Sequence, residues 1–265
     1  MQKIIREEWQ WGDKQSVRKT LQWYSSDNQK RYKQLKKRDL VKKWKDIEIS
    51  YKFNEWGYRC DSFEKSCDVL FIGCSQAVGV GLPLEYIYSY LVSQAMDINH
   101  HSLATSGADW QHIGQRLTYW LPILKPKVLV LRDPPDNRFN WWEKELAVST
   151  ARWDVDELLE YKIDQSRPLI DMIDDPNALW YRQSIKSYIV SICKEMGIKL
   201  INVPKNTNPR LPMHKDKKRL IGKTGPYKLY PLSEDFLARD YNHLGTKYHH
   251  RVAEIVLDQL KEMLH

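Results

Sequence analysis

The chain has 265 residues, 42% apolar and 29% charged, with a net charge of +8. That apolar content can bury one sizeable core, which excludes a chain disordered throughout. No apolar run approaches the roughly 20 residues that cross a bilayer, so no membrane span is expected. The four cysteines, Cys60, Cys67, Cys74 and Cys193, form no Cys-x-x-Cys pair. They exclude a disulfide scaffold and a zinc or redox thiol motif, and are expected reduced and mostly buried.

The first residues carry no hydrophobic stretch of signal length and meet acids straight after the first apolar pair, so cytoplasmic synthesis is expected. The charge is uneven: residues 1–66 hold 17 Lys and Arg against 10 Asp and Glu, whereas residues 67–265 hold 25 against 24. Residues 1–66 are accordingly expected to form a basic N-terminal extension, packed on or docking from a domain of residues 67–265, and able to join a larger assembly. Its cations are densest at 30–38 and 42–45, where Tyr32 and Trp44 interleave with them as in surfaces for anionic polymers. A solvated helix face is the simpler account, and a nucleic-acid partner is not expected.

Strict apolar alternation over residues 47–53 predicts a half-buried strand, broken by a turn at 54–57. Residues 68–73 form a compact apolar run ending in Gly73, the pattern of a buried parallel strand, and open a βα unit. A helix is predicted at 84–95, a second strand at 98–104, a helix at 109–121 closed by Pro122, and a third strand at 128–131. Residues 133–175, rich in Asp, Pro and Trp, read as a long irregular insertion with a helix near 155–161. A helix at 178–196, a fourth buried strand at 198–203, a loop-like stretch at 205–236 and a final helix at 244–264 complete the chain. Strands alternating with helices predict a three-layer α/β/α sandwich with a mostly parallel central sheet. In such sheets ligands lie beyond the carboxyl ends of the strands, so chemistry is expected just after the first, second and third of them.

The first strand ends in Gly73-Cys-Ser75. A serine at a strand-to-helix turn places its hydroxyl at the active edge and its N–H near a helix start, as a nucleophile needs, although an inert N-cap serine has the same local pattern. Far along the chain, Asp240-Tyr-Asn-His243 puts a carboxylate and an imidazole in one turn, where the acid can fix the ring tautomer so that the other nitrogen takes a proton from a serine. Alone, that pair would read as a surface turn.

Taken together, Gly73-Cys-Ser75 near the start of the α/β region and Asp240-x-x-His243 near its end resemble the SGNH/GDSL hydrolase family over about residues 67–265. Ala104-Thr-Ser-Gly107 stands where the family has its second-block Gly. Asn137, in Arg132-Asp-Pro-Pro-Asp-Asn137-Arg138, stands near the third-block Asn without the family's Gly-x-Asn-Asp, and Cys74 replaces the usual Asp before the serine. The lead-in from Tyr51 to Arg59 resembles the segment before the catalytic block in a subset of these proteins, several of them from bacteriophages. A phage-encoded member would be virion-associated or released on lysis.

The resemblance implies hydrolysis of carboxylic esters, often O-acetyl groups on a carbohydrate, with Ser75, His243 and Asp240 as nucleophile, base and orienting acid. It also implies an oxyanion hole of the Ser75 N–H, the Gly107 N–H and the Asn137 side chain. Eleven Trp and fifteen Tyr offer flat faces beyond core packing. Trp110, Trp141 and Trp142 are candidate sugar platforms, and Arg138 is a candidate clamp for an anionic group. The alternative is a catalytically inactive SGNH-like binding or structural module. Lys217 stands where a phosphate loop needs Gly, and the pairs His100-His101 and His249-His250 lack metal-ligand spacing, so neither a cofactor nor a metal is expected.

Overall fold

The structure, a computed structural model, describes residues 7–37, 42–63, 66–134, 138–143, 146–151, 176–203 and 237–264. Its centre is a sheet of four parallel strands, β3 (Val69–Ile72), β4 (His100–Ser102), β5 (Val128–Arg132) and β8 (Lys199–Val203), in the order β4-β3-β5-β8. Taken in chain order these strands lie 2-1-3-4, the doubly wound order whose ligand crevice opens where the winding reverses, between β3 and β5.

Buried β-strands send alternate side chains to opposite faces, and this sheet buries both. Val69, Phe71, Val128, Val130, Ile201 and Val203 pack with Tyr88 and Val92 of α3 (Tyr88–Met96) and with Tyr248, Val252 and Val256 of α6 (Thr246–Leu264). Leu70, Ile72, Leu129 and Leu131 face the other way, toward Ile113, Leu117 and Leu121 of α4 (Trp110–Leu124) and Ile189 and Cys193 of α5 (Pro176–Glu195). The three-layer α/β/α arrangement expected from the alternation of elements is thus present.

The basic N-terminal residues pack in the first of these layers. Tyr24, Leu35, Trp44, Ile49, Tyr51 and Phe53 are buried in the cluster that holds α3 and α6. The cations of α1 (Gln29–Lys37) at Lys30, Lys33, Lys36 and Lys37 face solvent, while Leu35 points inward. Burial alternates along residues 47–53 as the sequence pattern requires. Only β2 (Tyr51–Lys52) pairs, however, because its antiparallel partner β1 (Thr20–Leu21) is two residues long.

Two helix expectations need correction. Residues 84–95 are not one helix: Leu84–Tyr86 is a 3₁₀ turn, Ile87 is extended, and α3 begins at Tyr88. Ile87 breaks the helix so that its side chain can cover Gly79, where an added Cβ would lie 2.5 Å from it. Pro122 does not close α4, which runs on to Leu124 so that Leu121 and Leu124 both bury, and ends at Lys125 in the left-handed region. Within the predicted irregular insertion, β6 (Arg138–Glu143) and β7 (Leu146–Ala151) form an antiparallel hairpin. The helix expected near 155–161 and the loop expected at 205–236 lie outside the described residues.

Candidate active site

Ser75 opens α2 (Ser75–Val78) directly beyond β3, with Cys74 as N-cap in an extended conformation and Gly79 closing the helix at φ 70°. Gly73 is required by close approach: a Cβ there would meet Ala77 Cβ at 2.9 Å and Arg132 Cβ at 3.0 Å. The turn after α2 is fastened from below by Arg59. This buried guanidinium donates to the carbonyls of Val78, Gly79, Leu82 and Ser50 at 2.9–3.1 Å. Burial lowers the Arg59 pKa to about 10, which leaves it charged at neutral pH. The lead-in singled out in the sequence therefore supports the loop that carries the candidate nucleophile.

Residues 238–244 form a closed turn, with the Ala238 N–H donating to the His243 carbonyl at 2.9 Å and Tyr241 at φ 54°. Its side chains make the candidate acid–base pair. His243 Nδ1 lies 2.7 Å from Asp240 Oδ2, and Asp240 Oδ1 accepts the backbone N–H groups of Asn242 and His243, each at 3.1 Å. Asp240 is 1% and His243 7% exposed. Burial alone would raise the Asp240 pKa, but the His243 ring and the hydrogen bonds from His243, Ser26 and the Asn242 N–H outweigh it and hold the carboxyl below its ordinary value. An ionised acid on Nδ1 leaves Nε2 as the basic ring nitrogen.

The structure brings this turn to Ser75. Gln76, the next residue, accepts the Leu244 N–H through Oε1 at 3.1 Å, and the Arg239 N–H donates to the Gly81 carbonyl at 3.0 Å. The Ala104–Gly107 block is tied to the same edge, since the Thr105 N–H donates to the Gly73 carbonyl at 3.3 Å, and Gly107 has φ 78°. Among the described residues no hydrogen bond joins the Ser75 hydroxyl to His243. Nucleophile–base contacts are often long without substrate and tighten when it binds.

The remaining expected site residues are Trp110, Asn137, Arg138, Trp141 and Trp142. Trp110 is 5% exposed, packed in the core cluster with the Lys186 ammonium 5.6 Å from its ring centroid, which leaves little face for a ligand. Arg138, Trp141 and Trp142 lie on β6, opposite Ala151, Val148 and Ala147 of β7. Asn137 lies outside the described residues.

The N-terminal residues supply what the sequence reading missed. The turn from Tyr24 to Asp27 is closed by reciprocal backbone hydrogen bonds of 2.8 and 3.1 Å. The Ser25 hydroxyl meets Ser106 Oγ at 2.7 Å, and the Ser26 hydroxyl donates to Asp240 Oδ2 at 2.7 Å. Asp27 takes a forked hydrogen bond from Arg239, Nε to Oδ1 at 2.9 Å and Nη2 to Oδ2 at 2.6 Å. A cleft of about 650 Å³ opens beside the Ser25–Ser106 contact, lined by Asp13, Lys19, Trp23, Ser25, Ser106 and Arg116 among others. Ser25-Ser-Asp-Asn28 is legible as a turn, but nothing in its spacing signals partners more than 200 positions away.

Compared by sequence, the chain matches no family profile and no curated protein. By structure it is similar to the psychrotrophic esterase EstA of Pseudoalteromonas sp., at 14% identity over 74% of this chain and 98% of that one, with a TM-score of 0.38. It is also similar to the Clostridium thermocellum family 3 carbohydrate esterase, at 14% identity over 75% and 98% of the two chains (TM-score 0.35). A third likeness is to a GDSL-like lipase of Bacteroides thetaiotaomicron, at 14% identity over 73% and 87% (TM-score 0.33).

Proposed function

We propose that the chain is a serine hydrolase of the SGNH/GDSL type that cleaves carboxylic esters, with O-acyl groups on a carbohydrate as the substrate class. The observation that carries this reading is the buried Asp240–His243 pair, 2.7 Å apart, on a turn hydrogen-bonded to the residue that follows Ser75. A carboxylate held ionised on Nδ1 of a histidine beside a strand-end serine is the arrangement that acyl transfer requires.

In the proposed reaction Ser75 Oγ attacks the acyl carbon while His243 Nε2 takes its proton. The tetrahedral intermediate collapses with transfer of that proton to the leaving alcohol, and water then hydrolyses the acyl-serine by the same route in reverse. Asp240 holds the ring in one tautomer and balances the imidazolium charge. The N–H groups of Ser75 and Gly107 and the Asn137 side chain are the proposed oxyanion donors, each commonly worth about 10²–10³ in rate. Arg138, Trp141 and Trp142 are proposed to border the leaving alcohol. The carbohydrate assignment is supported by the polar cleft beside Ser25, whose Trp, Asp, Lys and Ser side chains suit a polyhydroxylated ligand better than an acyl chain. Release of acetate from peracetylated monosaccharides and from p-nitrophenyl acetate tests the proposal. It predicts turnover of both that Ser75→Ala abolishes; turnover of p-nitrophenyl acetate alone would keep the esterase and remove the carbohydrate.

A further inference from the structure

We infer that Ser26, from the N-terminal residues, is a positioning residue that fixes the Asp240–His243 pair. Three observations meet at this side chain. Its hydroxyl donates to Asp240 Oδ2 at 2.7 Å, on the same oxygen that His243 Nδ1 approaches, and its oxygen lies 3.4 Å from that Nδ1. With the Asn242 and His243 N–H groups on Oδ1, Ser26 completes four donors around one buried carboxylate and so fixes its plane as well as its position.

The turn that presents Ser26 is also held more firmly than a surface turn needs to be. Ser25 sits at φ 56°, a left-handed conformation unfavourable for a non-glycine residue. Asp27, the residue after Ser26, is clamped by Arg239, the immediate neighbour of Asp240, and accepts the Tyr51 hydroxyl at 2.5 Å. Arg31 Nε donates to the Asp240 backbone carbonyl from the first turn of α1. The N-terminal residues thus grip the acid-bearing turn on both sides of the carboxylate, and Ser26 is the member of that grip that touches the carboxylate itself. The charged and titratable groups around the pair are Arg31, the Asp27–Arg239 ion pair, and His249, which lies near enough to His243 to be influenced by it.

The catalytic consequence rests on the triad proposed above, whereas the positioning does not. The first readout is therefore the His243 ring itself, followed by NMR in histidine-labelled native protein, Ser26→Ala and Ser26→Thr. In Ser26→Ala the inference predicts that the His243 Nδ1 proton resonance moves from its native position, because the Asp240 Oδ2 that Nδ1 approaches loses its second donor. It also predicts faster exchange of the Nδ1 proton with water, and a return of both properties toward native in Ser26→Thr, which keeps the hydroxyl. On ester substrates kcat should fall about tenfold in Ser26→Ala at unchanged KM, the size of a hydrogen bond to a charged group.

A His243 Nδ1 proton resonance and exchange rate identical in native protein and Ser26→Ala would overturn the inference, whatever the activity. So would a loss in Ser26→Ala accompanied by an equal loss in Ser26→Thr and a lower melting temperature in both, which would make Ser26 a packing residue only. A protein in which Ser75 proves unreactive, but in which the His243 ring responds as described, would refute the triad and leave the positioning role standing.

Discussion

The Asp27–Arg239 ion pair joins residues 212 positions apart, with side chains 1% and 7% exposed. Asp27→Asn keeps the shape and removes the charge. Whichever way the new amide turns, its NH₂ faces an Arg239 donor, Nε in one orientation and Nη2 in the other, and the guanidinium loses the carboxylate that pairs with it. Breaking a buried pair from one side costs about 3–5 kcal/mol. In a domain of this size that lowers the melting temperature by roughly 6–20 °C. The Arg251–Glu254 pair on α6, with side chains 58% and 61% exposed, is the internal control, and Glu254→Gln should cost less than about 1 kcal/mol. Thermal and urea unfolding of the two variants beside native protein measures both. Replacing both partners, as in Asp27→Asn with Arg239→Met, should recover part of the loss because no charge is left stranded. A melting shift for Asp27→Asn no larger than that of Glu254→Gln would refute the view that the N-terminal residues are built into the core through this pair.

Further outcomes follow from local geometry. Gly73→Ala places a methyl against Ala77 and Arg132, and should cost about 1–3 kcal/mol of stability by overpacking. It should also lose most ester hydrolysis by displacing Ser75, a loss that acetate release at matched folded fraction would detect. His249 is buried, accepts the Tyr88 N–H at Nδ1, and has its pKa lowered to about 3 by burial and by nearby His243 and Arg59. The unfolded ring protonates near pH 6.5, so between about pH 6.5 and 3 the unfolded state binds the proton and stability falls as the pH falls, by at most about 1.4 kcal/mol per pH unit for this group. His100, lowered to about 4 by burial and by His101, adds to the same slope. Asp240, held below its ordinary value, contributes stability that is present above the unfolded carboxylate pKa of about 3.9 and is lost as the pH falls below it through the folded pKa. Urea midpoints at pH 7, 5.5 and 4.5 should show a shallower fall in His249→Asn, which keeps an acceptor near the Tyr88 N–H without the titration; an unchanged slope would refute the assignment.

The parallel strands were legible because both faces of the sheet are buried, so residues such as Val69, Leu70, Phe71 and Ile72 read as a continuous apolar run rather than an alternation. The Asp240–His243 contact was legible because the two residues lie within one turn, where spacing alone puts them in reach. The long-range clamp was not. Ser26 and Asp27 meet Asp240 and Arg239 across more than 200 residues, and local composition carries no record of such partners. The charge step at residue 66 marked a compositional change and hid the fact that the same residues place Trp44, Tyr51 and Phe53 in the core. Periodicity also misjudged residues 84–95, since the apolar stripe there includes Leu84, which is 40% exposed, and Ile87, which leaves the helix to cover Gly79.

The central claim is that Ser75 is a nucleophile activated by His243, and intact-mass detection of fluorophosphonate labelling tests it most directly. The account predicts a single adduct on native protein, absent in Ser75→Ala and formed at least about 100-fold more slowly in His243→Ala. A folded native protein that takes no adduct, or one whose adduct persists in Ser75→Ala, would contradict it.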